Sequence, residues 1–292
     1  MFSLYPGESE WVEEQQYSTI HKIVLGFTSR DLEGELEMST STIDQPDAKG
    51  RTPLCWAAAR ADLNTIKVLL RYGADLNASC STGKPPLMRA VRARSPVGIV
   101  PLLEAGANLE WRTKQQFTML TMAAFYQDNA DYLTPFLDRG ANIEEPGLYG
   151  MTPLACTADN DHSESAAVLL KYGANINTRC NNGWTPLLGA INSNSHQVLQ
   201  RLLDSGADYL IKSFKDETVL HFAARRGDVE TMRLLGNAKL EQLDVEAKTT
   251  TGYTAKELLE VRQERPLDLV AAFENLLKRL DEGKLEKKRS LV

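Results

Sequence analysis

Apolar residues recur along the chain in short groups with helical spacing, and polar loops rich in glycine, asparagine and aspartate separate the groups. Leu54 and Ala57 lie three residues apart and share one helix face, and Ile66 and Leu69 do the same in the next segment. Gly73 follows this second segment, at a place where a left-handed glycine commonly ends a helix. The pattern predicts a unit of loop, helix, turn and helix.

This unit repeats along the chain with a nearly constant period. The phrase Thr-Pro-Leu, or a weaker copy of it, occurs at 52–54, 85–87, 118–120, 152–154, 185–187 and 218–220. Its leucine or the equivalent residue recurs in steps of 33, 33, 34, 33 and 33 residues. A second phrase, Gly-Ala followed by Asp or Asn, keeps the same period from Gly73 to Gly206. Two independent phrases with one period indicate a repeat architecture.

Each phrase has a physical role in the unit. Threonine is a good N-cap, and proline fits the first helical turn, where its missing N–H costs nothing. With these phrases at this period, the chain resembles the ankyrin repeat family, whose unit is about 33 residues with a Thr-Pro-Leu-His phrase. The resemblance implies an all-α fold, an ankyrin-repeat solenoid of stacked helix-turn-helix units with hairpin-like loops. It also implies that loop tips and inner-helix ends contact the partner.

Six repeats match the family pattern. They span 47–78, 80–110, 113–144, 147–177, 180–210 and 213–240. His221 keeps the histidine of the family phrase. In the other repeats that place is taken by Cys55, Met88, Thr121, Ala155 and Leu188. These departures are expected to weaken a local threonine–histidine hydrogen bond and to leave the fold unchanged.

The two ends of the chain are more divergent than its centre. We predict an acidic segment over 1–17 and a divergent first repeat over 18–46, in which Thr19-Ile20-His21 matches the family phrase. After the six repeats of 47–240, we predict a degenerate capping repeat and an amphipathic helix over 241–280, and a frayed charged tail over 281–292. The start of the chain resembles that of ankyrin proteins from filamentous fungi.

Composition excludes several classes of protein. Hydrophobic residues make up 42% of the chain and charged residues 25%, as in ordinary globular proteins. No apolar run is long enough for a membrane span, and the acidic start does not resemble a secretory signal. The four cysteines are dispersed and lack zinc-ligand spacing. We therefore expect free thiols, no metal or other cofactor, no membrane partner, and a cytoplasmic or nuclear location.

Charge is distributed unevenly within a chain of net charge −6. Residues 47–114 contain 11 basic and 5 acidic residues, a net charge of +6, whereas 1–46 carries −7 and 115–210 carries −6. The basic residues at the contact positions that the family resemblance implies are Lys49, Arg51, Arg60, Lys84, Arg89 and Arg92. We interpret them as a docking patch for an acidic partner segment. The alternative is a solvated face that the acidic N-terminal segment partly neutralises.

Aromatic residues occupy comparable positions further along the chain. Those predicted to bind the partner are Phe117, Phe125, Tyr126, Tyr149 and Trp184. Aromatic side chains on a concave face are frequent hot spots. For Trp184, packing against the next loop is the favoured alternative. For Phe125 and Tyr126 binding is favoured, because two adjacent side chains cannot both point into one helix interface.

The chain lacks the usual motifs for nucleotide binding, metalloproteases and serine hydrolases. We predict that it is not an enzyme, that it does not bind nucleic acid, and that it is monomeric by itself. The favoured function is a scaffold or adaptor that binds a partner protein on its concave face. One alternative is a recognition or regulatory arm of a larger complex whose effector is another chain. A less favoured one is an enzyme, or a pathway-specific auxiliary protein, with an atypical site in the groove.

Overall fold

The structure is a computed structural model that describes residues 15–238, 240, 242–264 and 266–290, with side chains up to Asp281. Helices and turns make up the regular secondary structure of this part of the chain, and it contains no strand. Contacts between residues divide the chain into two compact units. Unit 1 extends to Tyr126 and includes Thr134–Ala141, and unit 2 comprises Gln127–Leu133 and everything from Asn142 onward.

Unit 1 consists of paired short helices joined by tight turns. They are α1 (Thr19–Val24), α2 (Leu32–Met38), α3 (Pro53–Arg60), α4 (Leu63–Arg71), α5 (Pro86–Val91), α6 (Ile99–Glu104) and α7 (Met119–Tyr126). A 3₁₀ turn, Pro96–Gly98, precedes α6. Helix α3 packs against α5, and α5 packs against α7, so the first helices of successive repeats stack directly on one another.

Unit 2 continues the same alternation. Its helices are α9 (Pro153–Asn160), α10 (Ser163–Lys171), α11 (Pro186–Ser193), α12 (His196–Asp204), α13 (Val219–Arg226), α14 (Val229–Asn237), α15 (Ala255–Glu260) and α16 (Leu267–Ser290). Helix α8 (Ala130–Leu137) is divided between the units, with its residues up to Leu133 in unit 2 and those from Thr134 in unit 1. A 3₁₀ turn, Leu148–Gly150, precedes α9. In unit 2 the stacked first helices are α9, α11, α13 and α15.

The recurring phrases have the roles that the sequence predicts. The hydroxyls of Thr52, Thr152 and Thr185 each accept a hydrogen bond from the backbone N–H three residues later, and a proline occupies the first helical turn. Gly173 and Gly206 adopt φ angles of 89° and 79° after the second helix of their repeats. A side chain at such an angle is strained, so glycine ends the helix at low cost.

The loops between repeats form narrow turns that are hydrogen-bonded to the next loop. In unit 1, the Ser81 N–H donates to the Lys49 carbonyl oxygen at 3.0 Å. In unit 2, the Asn181 N–H donates to the Tyr149 carbonyl oxygen at 2.8 Å. The Phe214 N–H likewise donates to the carbonyl oxygen of Asn182 at 3.3 Å. These bonds satisfy backbone groups in the loops and fix the position of each loop tip.

The core of each unit lies between the stacked helices. Leu54 and Leu87 are completely or almost completely buried in unit 1, as are Leu187 and Leu220 in unit 2. Burying one such leucine side chain contributes about 1.5–3 kcal/mol relative to leaving it exposed. Because the first helices of adjacent repeats pack against each other, removing one repeat exposes the apolar face of its neighbours.

A long helix covers the last repeat. Helix α16, which corresponds to the predicted amphipathic helix, packs against α14, and its Leu269, Phe273, Leu276 and Leu280 side chains are buried. The helix continues to Ser290, past the boundary at 280 that the sequence predicted between the helix and a frayed tail. The acidic segment predicted over 1–17 lies mostly outside the described residues, which begin at Gln15.

Candidate functional site

A buried carboxylate neutralises one of the predicted contact residues, Arg51. Asp47 accepts hydrogen bonds from the backbone N–H and the side-chain Nε of Arg51, at 2.9 and 2.8 Å, and from the Trp56 Nε1 at 3.0 Å. Burial raises the pKa of Asp47, but hydrogen bonds from Arg51, Trp56 and the Lys49 N–H outweigh burial and hold it below the ordinary value. The Arg51 guanidinium lies 4.1 Å from the centroid of the Trp56 ring. Arg51 thus maintains the fold, and its charge is already paired.

Arg89 contacts a cysteine of the protein itself and is only partly accessible. Its Nη2 donates to the Cys80 Sγ at 3.2 Å, and its Nε is buried without a hydrogen-bond partner in the part of the chain that the structure describes. The Thr82 hydroxyl lies 3.0 Å from the same sulfur. Burial raises the pKa of Cys80, but hydrogen bonds from Thr82, Lys84 and Arg89 outweigh it and lower the pKa to about 7. Arg89 therefore stabilises a thiolate, and only part of its side chain reaches solvent.

Arg92 and three aromatic residues form a contiguous group on unit 1, which we call the Arg92–aromatic cluster. The Arg92 guanidinium carbon lies 4.7 Å from the Tyr126 ring centroid. Phe125 meets the Tyr126 ring edge-on, with centroids 5.1 Å apart, and Phe117 lies 6.3 Å from Phe125. Tyr126 is 40% exposed, Arg92 is exposed, and the two phenylalanines are half-buried. The cluster combines an accessible cation with apolar surface.

The repeat explains how this cluster is assembled. Arg92 and Phe125 are 33 residues apart and hold equivalent positions, at the ends of the stacked helices α5 and α7. Phe117 reaches the cluster from the loop before α7. All four members of the cluster are among the residues that the sequence predicts to bind a partner.

The other predicted basic residues are arranged more loosely. Arg60 is exposed at the end of α3, Lys49 is exposed at a loop tip, and Lys84 is half-buried in the next loop. These side chains contribute positive charge to unit 1. Arg92 adds a further exposed positive charge to unit 1, whereas the charge of Arg51 is paired with that of Asp47.

The predicted aromatic residues of unit 2 have different environments. Trp184 is half-buried and packs edge-on against the buried Phe222 of helix α13, with ring centroids 4.9 Å apart, so this contact is with a helix of the next repeat. Tyr149 is 64% exposed at a loop tip and has a φ angle of 60°. Phe214, which was left out of the predicted binding residues, is also 64% exposed and lies against the Arg179 guanidinium.

The described residues also bear on metal binding, membrane insertion and thiol chemistry. They contain no group of three or more histidine, cysteine, aspartate or glutamate side chains that could hold a metal ion. No helix in the described part is both long and apolar enough to cross a membrane. The four cysteines are free thiols. Asp161 accepts a hydrogen bond from the Val198 N–H at 2.9 Å, which is a structural role in the turn between two helices.

Comparison with known proteins gives a consistent match along the chain. A family model described as Ankyrin repeats (3 copies) matches residues 29–113 and 120–213, and one described as Ankyrin repeat matches 215–245. The ankyrin repeat protein nuc-2 of Neurospora crassa is 29% identical over 237 residues, covering 80% of this chain and 22% of the relative. Rabankyrin-5 of Mus musculus is 30% identical over 162 residues, covering 54% of this chain and 14% of the relative. The chain thus spans less than a quarter of the length of these two relatives.

Solved structures match the fold. The human ASB11 ankyrin repeat domain superposes with a TM-score of 0.66 at 25% identity, covering 76% of this chain and 98% of that domain. The ankyrin repeat domain of Bcl-3 superposes with a TM-score of 0.64 at 23% identity, covering 76% of this chain and 99% of that domain. At 23% identity, the match to Bcl-3 supports only the fold.

Proposed function

Because the chain belongs to the ankyrin repeat family, whose domains generally mediate protein–protein interactions, we propose that it binds a partner protein through the Arg92–aromatic cluster of unit 1. The observation that carries the proposal is the exposed contact between Arg92 and Tyr126, with their centres 4.7 Å apart. Arginine and tyrosine are enriched among the residues that dominate binding energy at interfaces. The ring and the guanidinium already support each other, so less side-chain freedom is lost on binding.

The partner segment is proposed to be acidic. Residues 47–114 carry a net charge of +6, a sum that already includes Asp47. Arg51 is paired with Asp47, and Arg71 is paired with Glu33. Arg92, Arg60 and Lys49 remain exposed. A partner with aspartate or glutamate residues would be attracted to this face, and the effect would appear mainly in the association rate.

The aromatic part of the cluster is proposed to hold the bound segment. Phe125 and Tyr126 cross edge-on and present a corner of apolar surface next to the Arg92 charge. An apolar side chain of the partner that covers this corner would leave water, and each buried Å² contributes about 25 cal/mol. Charge then governs encounter, and apolar contact governs residence time.

The free dispersed cysteines support a reducing compartment, so the proposed place of action is the cytoplasm or the nucleus. We also propose that the chain is monomeric by itself. Sedimentation velocity at two protein concentrations tests the monomeric state. Imaging of a fluorescent fusion tests the location.

Affinity capture tests the proposed function. The tagged chain and an Arg92→Ala/Tyr126→Ala variant are used as baits in native extract, with Tyr172→Ala as the control. Tyr172 has the same exposed fraction as Tyr126, 40%, but lies in unit 2. A partner retained by the parent and the control and lost by the double variant supports the proposal. A partner retained equally by all three baits overturns it.

The stoichiometry of the captured material separates two forms of the proposal. One partner at a ratio near one to one indicates a recognition arm of a fixed complex. Several partners at lower ratios indicate an adaptor.

A further inference from the structure

Phe214 is an exposed ring held in a fixed position by its neighbours. It lies at a loop tip of unit 2 and is 64% exposed. A Cβ atom added to Gly183 would come within 2.8 Å of the Cγ and Cδ1 atoms of the Phe214 ring, so the ring covers the glycine backbone closely. The Phe214 N–H is bonded to the Asn182 carbonyl oxygen. The Phe214 ring is therefore held in position while most of its surface stays in contact with water.

Arg179 supports the ring from a neighbouring segment. Its guanidinium carbon lies 4.7 Å from the Phe214 ring centroid. The Arg179 Nε donates to the Gly183 carbonyl oxygen at 3.2 Å, and its Nη2 donates to the Lys212 carbonyl oxygen at 2.5 Å. Arg179 is thus bonded to two successive loops and has little freedom of its own. The cation, the glycine and the ring form a preorganised unit.

The exposed charges of the Phe214 loop are mostly positive, because Lys212 and Lys215 flank the ring. The Thr250 N–H donates to the Lys215 carbonyl oxygen at 2.9 Å, which brings the next loop alongside. That loop exposes Lys248 together with the acidic residues Asp244 and Glu246. Asp216 is exposed in the Phe214 loop. The other acid of this loop, Glu217, is buried and bonded to Arg225. The ring therefore lies within a basic rim.

We propose that Phe214 anchors a second docking surface, separate from the Arg92–aromatic cluster, for a protein segment that carries an apolar side chain next to acidic residues. The apolar side chain would cover the exposed face of the ring. The acidic residues would meet the rim formed by Lys212, Lys215 and Lys248. This inference goes beyond the proposed function, because it places a binding site on the loop tips of unit 2.

The fixed Phe214 ring and the lysines beside it together indicate what kind of partner would bind. A fixed aromatic ring gives contact area at low entropic cost, as rigid hot-spot residues do. A basic rim favours an acidic partner and disfavours a basic one through like-charge repulsion. Single-stranded nucleic acid would also be attracted by lysines, but binding of successive bases requires a series of stacking rings along a groove. Here one preorganised ring carries the site, so a peptide segment is favoured.

Peptide selection on the full chain tests the inference. A random 12-residue library displayed on phage is selected on the parent chain after counter-selection on Phe214→Ala. Enriched peptides are expected to contain an apolar residue beside two or more acidic ones. A labelled synthetic copy should bind Phe214→Ala at least tenfold more weakly than the parent. Tyr172→Ala and Arg92→Ala should bind it like the parent, which separates this surface from the proposed function.

A charge variant tests the rim independently of the ring. Lys212→Glu/Lys215→Glu should slow association of the same peptide at least fivefold and reduce its dependence on salt. All variants must melt within two degrees of the parent. The inference is overturned if no peptide survives counter-selection, if the enriched peptides lack acidic residues, or if an oligothymidylate binds the Phe214 surface more tightly than any peptide.

Discussion

The Nε2 atom of His221 lies 3.1 Å from the carbonyl oxygen of Tyr253, in the loop of the following repeat. The Thr218 N–H lies 3.1 Å from the other ring nitrogen, Nδ1. A backbone N–H can only donate, so Nδ1 is the acceptor and Nε2 carries the proton that it donates to Tyr253. His21 repeats this arrangement between the Ser18 N–H and the Arg51 carbonyl oxygen, at 3.3 and 2.9 Å. Each buried neutral histidine thus links its own helix cap to the next repeat.

These histidines make stability depend on pH. Burial disfavours the imidazolium form and lowers the pKa of both His21 and His221 below the ordinary value near 6.5. The unfolded chain therefore binds protons that the native state excludes once the pH falls below about 6.5, and stability decreases from there toward the folded-state pKa. Each histidine contributes up to about 1.4 kcal/mol per pH unit in this window.

Urea unfolding at pH 7.5 and 5.5 checks this prediction. The parent should lose more stability between the two values than His21→Gln/His221→Gln does. The carboxylates with lowered pKa values, such as Asp47 and Asp228, titrate at lower pH and add little over this interval. An equal loss in the parent and the double variant would show that the histidines are not the cause.

Replacement of the helix-ending glycines should destabilise the fold through backbone strain alone. At Gly173 and Gly206 an added Cβ meets no atom within 4 Å, so space is not the obstacle. The φ angles of 89° and 79° disfavour β-branched residues, and valine at either position should cost more than about 1 kcal/mol. Asparagine tolerates left-handed angles and should cost less. Denaturation that leaves both valine variants unchanged contradicts the repeat geometry.

The ion pair between Asp47 and Arg51 is expected to stabilise the fold. The Asp47 side chain is fully buried and that of Arg51 is 16% exposed in their ion pair. Asp47→Ala should therefore lower the unfolding free energy by about 2–4 kcal/mol, because it leaves the Trp56 N–H and the Arg51 guanidinium without their acceptor. Arg60→Ala, at an exposed position, serves as the control and should change stability by less than about 0.5 kcal/mol. Equal effects of the two variants would contradict the role assigned to Asp47.

The thiols should differ in reactivity. Burial and the hydrogen bonds of Thr82, Lys84 and Arg89 together place the pKa of Cys80 at about 7, whereas burial raises the pKa of Cys55, and that of Cys156 to about 12. The thiolate is the reactive form, so Cys80 should be alkylated before Cys55 and Cys156 at pH 7.5. Mass spectrometry after a short exposure to iodoacetamide measures the order. Modification of Cys156 ahead of Cys80 would refute it.

Much of the fold could be predicted because its signals are local and periodic. A threonine that caps a helix and a glycine that ends one act within a few residues, and both recur at one spacing. The structure places Thr185 and Gly173 in those roles. The amphipathic character of α16 was also visible in the sequence, but its extension to Ser290 was not, because the residues after Leu280 are mostly charged and include Gly283.

The candidate site was harder to predict, because it depends on contacts between repeats and on side-chain partners. The sequence placed Arg51 among the contact residues, but it does not show that Asp47 is buried beside it. It left out Phe214, whose ring lies against Gly183 and Arg179, two residues of the preceding repeat. Pairing and exposure of this kind come from the three-dimensional arrangement of the loops.

Binding kinetics of the captured partner test the central claim, that the Arg92–aromatic cluster of unit 1 is the partner-binding site. Surface plasmon resonance is recorded at two salt concentrations for the parent, Arg92→Glu and Phe125→Ala/Tyr126→Ala, each shown first to melt like the parent. We expect Arg92→Glu to slow association and weaken its salt dependence, and the aromatic double variant to speed dissociation at a cost of about 2 kcal/mol, roughly thirtyfold. If neither variant weakens binding fivefold, the partner binds elsewhere and the claim is wrong.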